Sequence, residues 1–234
     1  MRRARKEYVT ARSLDRAASR WLIALRPWAR RKPLPDLRRA ALLIVDLEHA
    51  FADPRGDAFL PASRAVLPRI LTLRDAFRTA GLPVAFTRHA HRPGECRGSM
   101  SRHWRWLIRD ETAQADLIPE LAPRRGEPVF RKAQYSAFRR TGLARWLRRH
   151  RAGTLVVAGV MTHLCVDTTA REAFVRELDV IVPLDACASS DETLHLGALR
   201  SLANGFASVP PTSTLLRLLR PATARPPRDR SPVR

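Results

Sequence analysis

Short runs in which every position is apolar alternate along this chain with longer stretches in which apolar residues recur every three or four positions. Ala41-Leu42-Leu43-Ile44-Val45 is the first such run, ending at Asp46, and Pro83-Val84-Ala85-Phe86-Thr87 is the second. Between them, about Arg64 to Ala80 carries a helical repeat that Gly81 caps. Pro128-Val129-Phe130 leads to Lys132, and Thr154-Leu155-Val156-Val157-Ala158 leads through Gly159 into a helix that carries Cys165. Asp179 to Pro183 and Phe206 to Val209 supply a fifth and a sixth run, separated by a helix over roughly Glu192 to Asn204. Runs apolar on both faces and separated by helices predict a sheet covered on both sides. The expected fold is α/β, a three-layer α/β/α arrangement with a mostly parallel six-stranded sheet.

Length and composition bound this picture without changing it. A chain of 234 residues with 45% hydrophobic content can bury one sizeable core. The three cysteines, at 96, 165 and 187, are too few and too irregularly spaced for a disulfide framework or a zinc ribbon. A reducing, cytoplasmic compartment is therefore expected. No apolar run approaches the roughly 18 to 20 residues of a membrane span.

The net charge of +21 suggests a nucleic-acid partner until it is located along the chain. Residues 1–39 hold 13 Lys and Arg against 3 acids, and residues 217–234 hold 6 against 1. Between them, residues 40–216 carry only +6. Three regions are expected: a basic extension over 1–39 that is helical or partly disordered, a catalytic domain over 40–216, and a disordered Arg/Pro-rich tail over 217–234. The flanks could touch a polyanion by counterion release. The plainer reading is a set of solvated ends, and nucleic acid is not expected as the partner of the domain itself.

Three reactive residues each follow a predicted strand: Asp46, Lys132 and Cys165. Ligand crevices of open α/β sheets lie beyond the carboxyl ends of strands, so the three would share one rim. Each has an ordinary alternative, a helix cap for Asp46, a surface cation for Lys132 and a small buried apolar residue for Cys165. Lys132 stands out because the chain has 40 arginines and only 3 lysines, at 6, 32 and 132. A compact ammonium, whose pKa moves readily, is chosen there over a planar guanidinium. Cys165 falls in the first turn of a helix after a strand, where backbone N–H groups favour a thiolate and a developing oxyanion. Cys96 and Cys187 lack that setting as clearly and read as structural or incidental.

Asp46 after Leu42-Leu43-Ile44-Val45, then Lys132-Ala133-Gln134-Tyr135-Ser136-Ala137-Phe138, then Gly159-Val160-Met161-Thr162-His163-Leu164-Cys165 resemble, in order and spacing, the three signatures of the isochorismatase-like cysteine hydrolases. The resemblance spans about residues 40 to 210. It implies a hydrolase of non-peptide C–N bonds, with Asp46, Lys132 and Cys165 as the catalytic set. It further implies an oxyanion hole from the backbone N–H groups of Met161 and Cys165, a cis peptide at Val160–Met161, no cofactor, and a homo-oligomer acting on a small amide-type substrate. Glu48 stands where many relatives have Gln. The nicotinamidase branch binds a metal through an Asp and two His, but the matching segment here, Thr87-Arg88-His89-Ala90-His91, lacks the acid, and no metal is expected. Phe51, His91, Trp104 and Tyr135 are candidates for the substrate pocket, with core packing as the competing explanation. Two other classes stay open: a vinyl-ether hydrolase, found among relatives without the nucleophilic Cys, and a non-catalytic module using the basic flanks.

Overall fold

The computed structural model describes residues 7–29, 33–95, 98–104 and 106–220. Six strands form one sheet: β1 (Ala40–Val45), β2 (Val84–His89), β3 (Val129–Lys132), β4 (Thr154–Val160), β5 (Asp179–Ile181) and β6 (Cys187–Ala188). Their order is β3-β2-β1-β4-β5, with β6 paired to the end of β4. Every pairing is parallel. The described helices are α1 (Leu14–Leu25), α2 (His49–Ala52), α3 (Pro61–Thr79), α4 (Ser99–His103), α5 (Leu143–Arg149), α6 (Asp167–Val175), α7 (Glu192–Gly205) and α8 (Thr212–Leu219). Among them none is long and apolar enough to cross a membrane.

All residues of β1 and β4 are buried, so both faces of the central strands are covered, as their unbroken apolar sequences require. Helix α3 ends on Gly81, whose φ of 67° is the left-handed conformation that glycine adopts without a steric penalty. Gly81 N–H donates to Arg78 O and Leu82 N–H to Phe77 O, closing the last turn and aiming the chain at β2.

Three expectations change. Phe206 to Val209 does not form the sixth strand; it touches the sheet only through an isolated bridge between Ile181 and Ser208. The sixth strand is the two-residue β6, which contains Cys187. Two residues are too few to stand out as an apolar run, whereas at 206–209 Val209 is buried in the core and Phe206 packs edge-on against Phe174 of α6. The boundary at 217 also moves, because α8 continues to Leu219 through Arg217. The rest of the expected tail, like Cys96, lies outside the described residues.

Within residues 1–39, Leu14–Leu25 forms the helix α1. Leu14, Ala17, Ala18, Trp21 and Leu25 recur at helical spacing on one face and are buried in the same core as the sheet strands. Its arginines face outward, so the charge that marks the segment in sequence conceals an apolar stripe.

One glycine controls how closely the central strands approach. Gly159, near the end of β4, has φ of 120°, and a Cβ there would collide with the Val45 carbonyl oxygen and the Val45 backbone nitrogen. Replacing Gly159 with Ala is expected to destabilise the protein by about 3 kcal/mol or more, since both strain and backbone collision oppose it. Urea unfolding of the variant checks this; a loss below about 1 kcal/mol would contradict the packing argument.

Candidate active site

The ends of three strands meet at the carboxyl rim. Register sets Val45 beside Gly159 and His89 beside Lys132, so the residues that follow β1 and β4 and the last residues of β2 and β3 face one another. Asp46, one residue beyond β1, adopts φ of 53°, a left-handed conformation that Asp tolerates better than most side chains. Its N–H donates to Thr87 O at 3.1 Å, and Thr87 Oγ1 donates to Asp46 Oδ1 at 2.7 Å. The carboxylate is thus held on both its backbone and its side chain.

Lys132 fills the centre. Its Nζ lies 2.7 Å from Asp46 Oδ2, and both side chains are completely buried. The same ammonium donates to Cys165 Sγ at 3.1 Å and to Gln134 O at 3.1 Å, and it lies 3.3 Å from His89 Nδ1. Burial alone would strip its proton, yet the facing Asp46 and Cys165 overcome that cost and hold its pKa above the ordinary lysine value. Cys165 lies in a single π-helical turn, Thr162–Val166, that opens α6. The peptide Val160–Met161 before it is cis. Met161 O accepts from the N–H groups of Leu164 and Val166, which closes the turn. Burial pushes the Cys165 thiol up, Lys132 pulls it down, and Asp46 pushes it up again; the net direction is upward. The balance favours the protonated thiol at Cys165.

Two further buried groups stay neutral around this pair. Glu48 accepts from His89 N–H at 2.8 Å through Oε2, and burial, followed by the nearby Asp46, raises its pKa well above the ordinary range. Burial, followed by Lys132, lowers the pKa of His89. Burial thus opposes a charge on both groups that flank Asp46 and Lys132.

His89 and His91 lie with ring centroids 5.0 Å apart. Among the described residues the one trio with metal-ligand character is Asp46, His89 and Cys165, whose ligand atoms lie within 4.8 Å of one another. Lys132 Nζ sits within 3.3 Å of all three. A divalent ion there would have to displace an ammonium that already serves the trio, so this donor set does not fit a resident metal. His91 is outside the trio.

The predicted pocket residues are placed unevenly. Tyr135 follows Gln134, the carbonyl partner of Lys132, and its hydroxyl accepts from Trp104 Nε1 at 2.7 Å. The two aromatics thus close one side of the loop that leaves β3. His91 flanks His89, while Phe51 is half-buried and packs on a small cluster of Ala50, Ala90, Ile108 and Ala115 as well as on the main core. Thr87, and His89 as a partner of Lys132, escaped the sequence reading; the strand order that sets β2 between β1 and β3 is what brings them in. A groove of about 780 Å³ lined by Leu34, Leu37, Leu82 and Leu219 lies at the opposite rim, where β1 and β2 begin, and has no part in this cluster.

A doubly covered parallel sheet with a carboxylate, an ammonium and a thiol converging at its carboxyl rim defines the class: an α/β enzyme of the hydrolases that carry a sulfur nucleophile candidate at that edge. The family model for the isochorismatase domain matches residues 40–213. The chain belongs to the isochorismatase family. It is 35% identical over 188 residues to nicotinamidase 3 of Arabidopsis thaliana, covering 78% of this chain and 89% of that protein. It is 31% identical over 206 residues to the ureidoacrylate amidohydrolase of Methylobacterium radiotolerans, covering 77% and 80%. Among solved structures, a cysteine hydrolase from Pseudomonas syringae pv. phaseolicola superposes with a TM-score of 0.76 at 27% identity, over 81% of this chain and 98% of that one. The relatives thus include amidohydrolases, enzymes that act on non-peptide C–N bonds.

The raised pKa of Glu48 has a sign that can be measured. From the ordinary value of 4.5 up to the folded value, the native state binds more protons than the unfolded chain, so stability falls as pH rises through that window. Glu48→Gln keeps an acceptor for His89 N–H and removes the titration. The variant should be more stable than the parent at neutral pH, with the gap closing as pH falls below 4.5. Denaturant unfolding from about pH 4 to about pH 8 measures this, and a gap independent of pH would show that Glu48 is ionised when folded.

Proposed function

We propose that this chain hydrolyses a C–N bond of a small amide, carbamoyl or ureido substrate through an acyl-enzyme on Cys165. The observation that carries this reading is the buried Lys132 ammonium, within hydrogen-bond reach of both Asp46 Oδ2 and Cys165 Sγ. An ammonium so placed can pair with the anion on either group as a proton crosses between thiol and carboxylate. Asp46 takes the thiol proton as the sulfur adds to the substrate carbonyl carbon. The backbone N–H groups of Met161, just before the turn, and of Cys165, within it, receive the oxyanion. Asp46 then gives its proton to the departing nitrogen, and the C–N bond breaks. Water attacks the thioester, Asp46 takes a proton from it, and the acid leaves as the thiol is restored.

The burial of the cluster favours a small substrate, and Phe51, His91, Trp104 and Tyr135 are proposed as its walls. The amidase and amidohydrolase relatives support a C–N bond as the target. A vinyl-ether hydrolase would leave the ammonium-bound sulfur without a task, which weighs against that alternative. The enzyme is further proposed to work as a cytoplasmic homo-oligomer, without a cofactor and without nucleic acid.

Cys165→Ala, Asp46→Asn and Lys132→Met should each lower turnover by roughly a thousandfold or more. Lys132→Met should also cost about 3–5 kcal/mol of stability, because it leaves a buried carboxylate unpaired. Mass spectrometry during a screen of small amides and ureas should find an acyl adduct on Cys165. Full turnover in all three variants, or an acyl group on another residue, would overturn the assignment.

A further inference from the structure

The segment before residue 40 lies outside the matched family domain, yet it reaches the turn that carries Cys165. The junction is His195 of α7. Its ring is fully buried, its Nδ1 lies 2.9 Å from Thr162 Oγ1, and the Trp21 indole of α1 covers it with ring centroids 4.6 Å apart. Trp21 Nε1 donates to Glu192 Oε1 at 2.7 Å, and Arg20 pairs with the same oxygen at 3.1 Å, so the start of α7 is tied to α1 from outside the ring contact. Tyr8 gives a second attachment. Its hydroxyl accepts from Ser189 N–H at 3.1 Å, and Ser189 Oγ lies 2.9 Å from His163 Nδ1. Two routes from the N-terminal segment therefore end on Thr162 and His163, adjacent residues of the π-helical turn that holds the sulfur.

That turn needs outside support. A single π-turn has looser internal hydrogen bonding than an α-helix, and such turns occur mostly where a function fixes them. Here the internal closure comes from Met161 O, and the side-chain anchors come from His195 and Ser189. Burial lowers the His195 pKa to about 3, so the ring stays uncharged and its bond to Thr162 persists across the working range of a hydrolase.

We infer that the N-terminal segment is a positioning element for the nucleophile, acting through Trp21 packed on His195 and His195 bonded to Thr162. This rests on the reading of Cys165 as the nucleophile. Trp21, His195 and Thr162 are then positioning residues, since none of them touches the sulfur in the hydrogen-bond network described above. Displacements of even an ångström at a reacting atom cost about a hundredfold in rate, so a contact remote from the chemistry can govern it.

The test uses full-length Trp21→Leu, Thr162→Val and Thr162→Ser, with iodoacetamide as the probe and mass spectrometry to separate the two buried thiols, Cys165 and Cys187. Releasing the turn should expose Cys165 locally, so its alkylation should quicken by roughly tenfold in Trp21→Leu and Thr162→Val while Cys187 stays at the parent rate. Thr162→Ser, which keeps the hydroxyl, should restore the parent rate at Cys165. Turnover of the amide found to acylate Cys165 should fall roughly tenfold in kcat with KM changed less than about twofold. An unchanged Cys165 rate in folded variants, an equal rise at both thiols, or failure of Thr162→Ser to restore would each overturn the inference. If Trp21→Leu does not fold, His195→Asn and the Thr162 pair decide by the same criteria. Full turnover in Cys165→Ala would instead sink the nucleophile assignment itself, whatever the alkylation pattern.

Discussion

The structure turns on one buried cation. Lys132 Nζ sits between Asp46 and Cys165 with no solvent access, and each of its contacts is to a group on a different strand end or the turn beyond one. A buried ammonium without a counter-charge would lose its proton, and a buried carboxylate without a cation would gain one. Neither residue can therefore be placed without the other, and the three strand ends that carry the cluster must close on one point. The same dry site shifts its neighbours: burial first and Asp46 second raise the pKa of Glu48, and burial first and Lys132 second lower that of His89.

The sheet supplies that convergence by close approach. Gly159 lets β4 lie against the backbone of Val45, which shortens the distance between the residue after β1 and the turn after β4. The Schellman-type ending of α3 at Gly81 performs the comparable task for β2, delivering Thr87 and His89 to the same rim. Local backbone geometry at two glycines is thus coupled to the placement of three side chains drawn from separate parts of the sequence. The N-terminal helix extends this coupling beyond the family domain, because its buried stripe belongs to the same core and its tryptophan rests on the histidine behind the turn that holds Cys165.

The long apolar strands, the helix from about Arg64 and the reactive residue at each strand end were legible because each depends on periodicity over a few neighbouring positions. β6 was not, since two residues carry no period, and the apolar stretch at 206–209 was mistaken for a strand because apolar content records burial rather than pairing. The packing of α1 was hidden, because 13 cations among 39 residues outweigh a stripe of five buried side chains when composition is averaged. Thr87 and the Glu48–His89 bond were invisible for a different reason: they exist only once β2 lies between β1 and β3.

What the sequence determined by itself is the α/β character of the chain, the solitary lysine of its central region, and a thiol placed just beyond a strand. These follow from side-chain type and short-range spacing, which act before any distant contact forms. Only the tertiary structure decided which strands are neighbours, which groups are charged and what the N-terminal helix touches. Strand order and burial are properties of the assembled core, and the protonation of Lys132, Glu48 and His195 responds to the water that assembly removes.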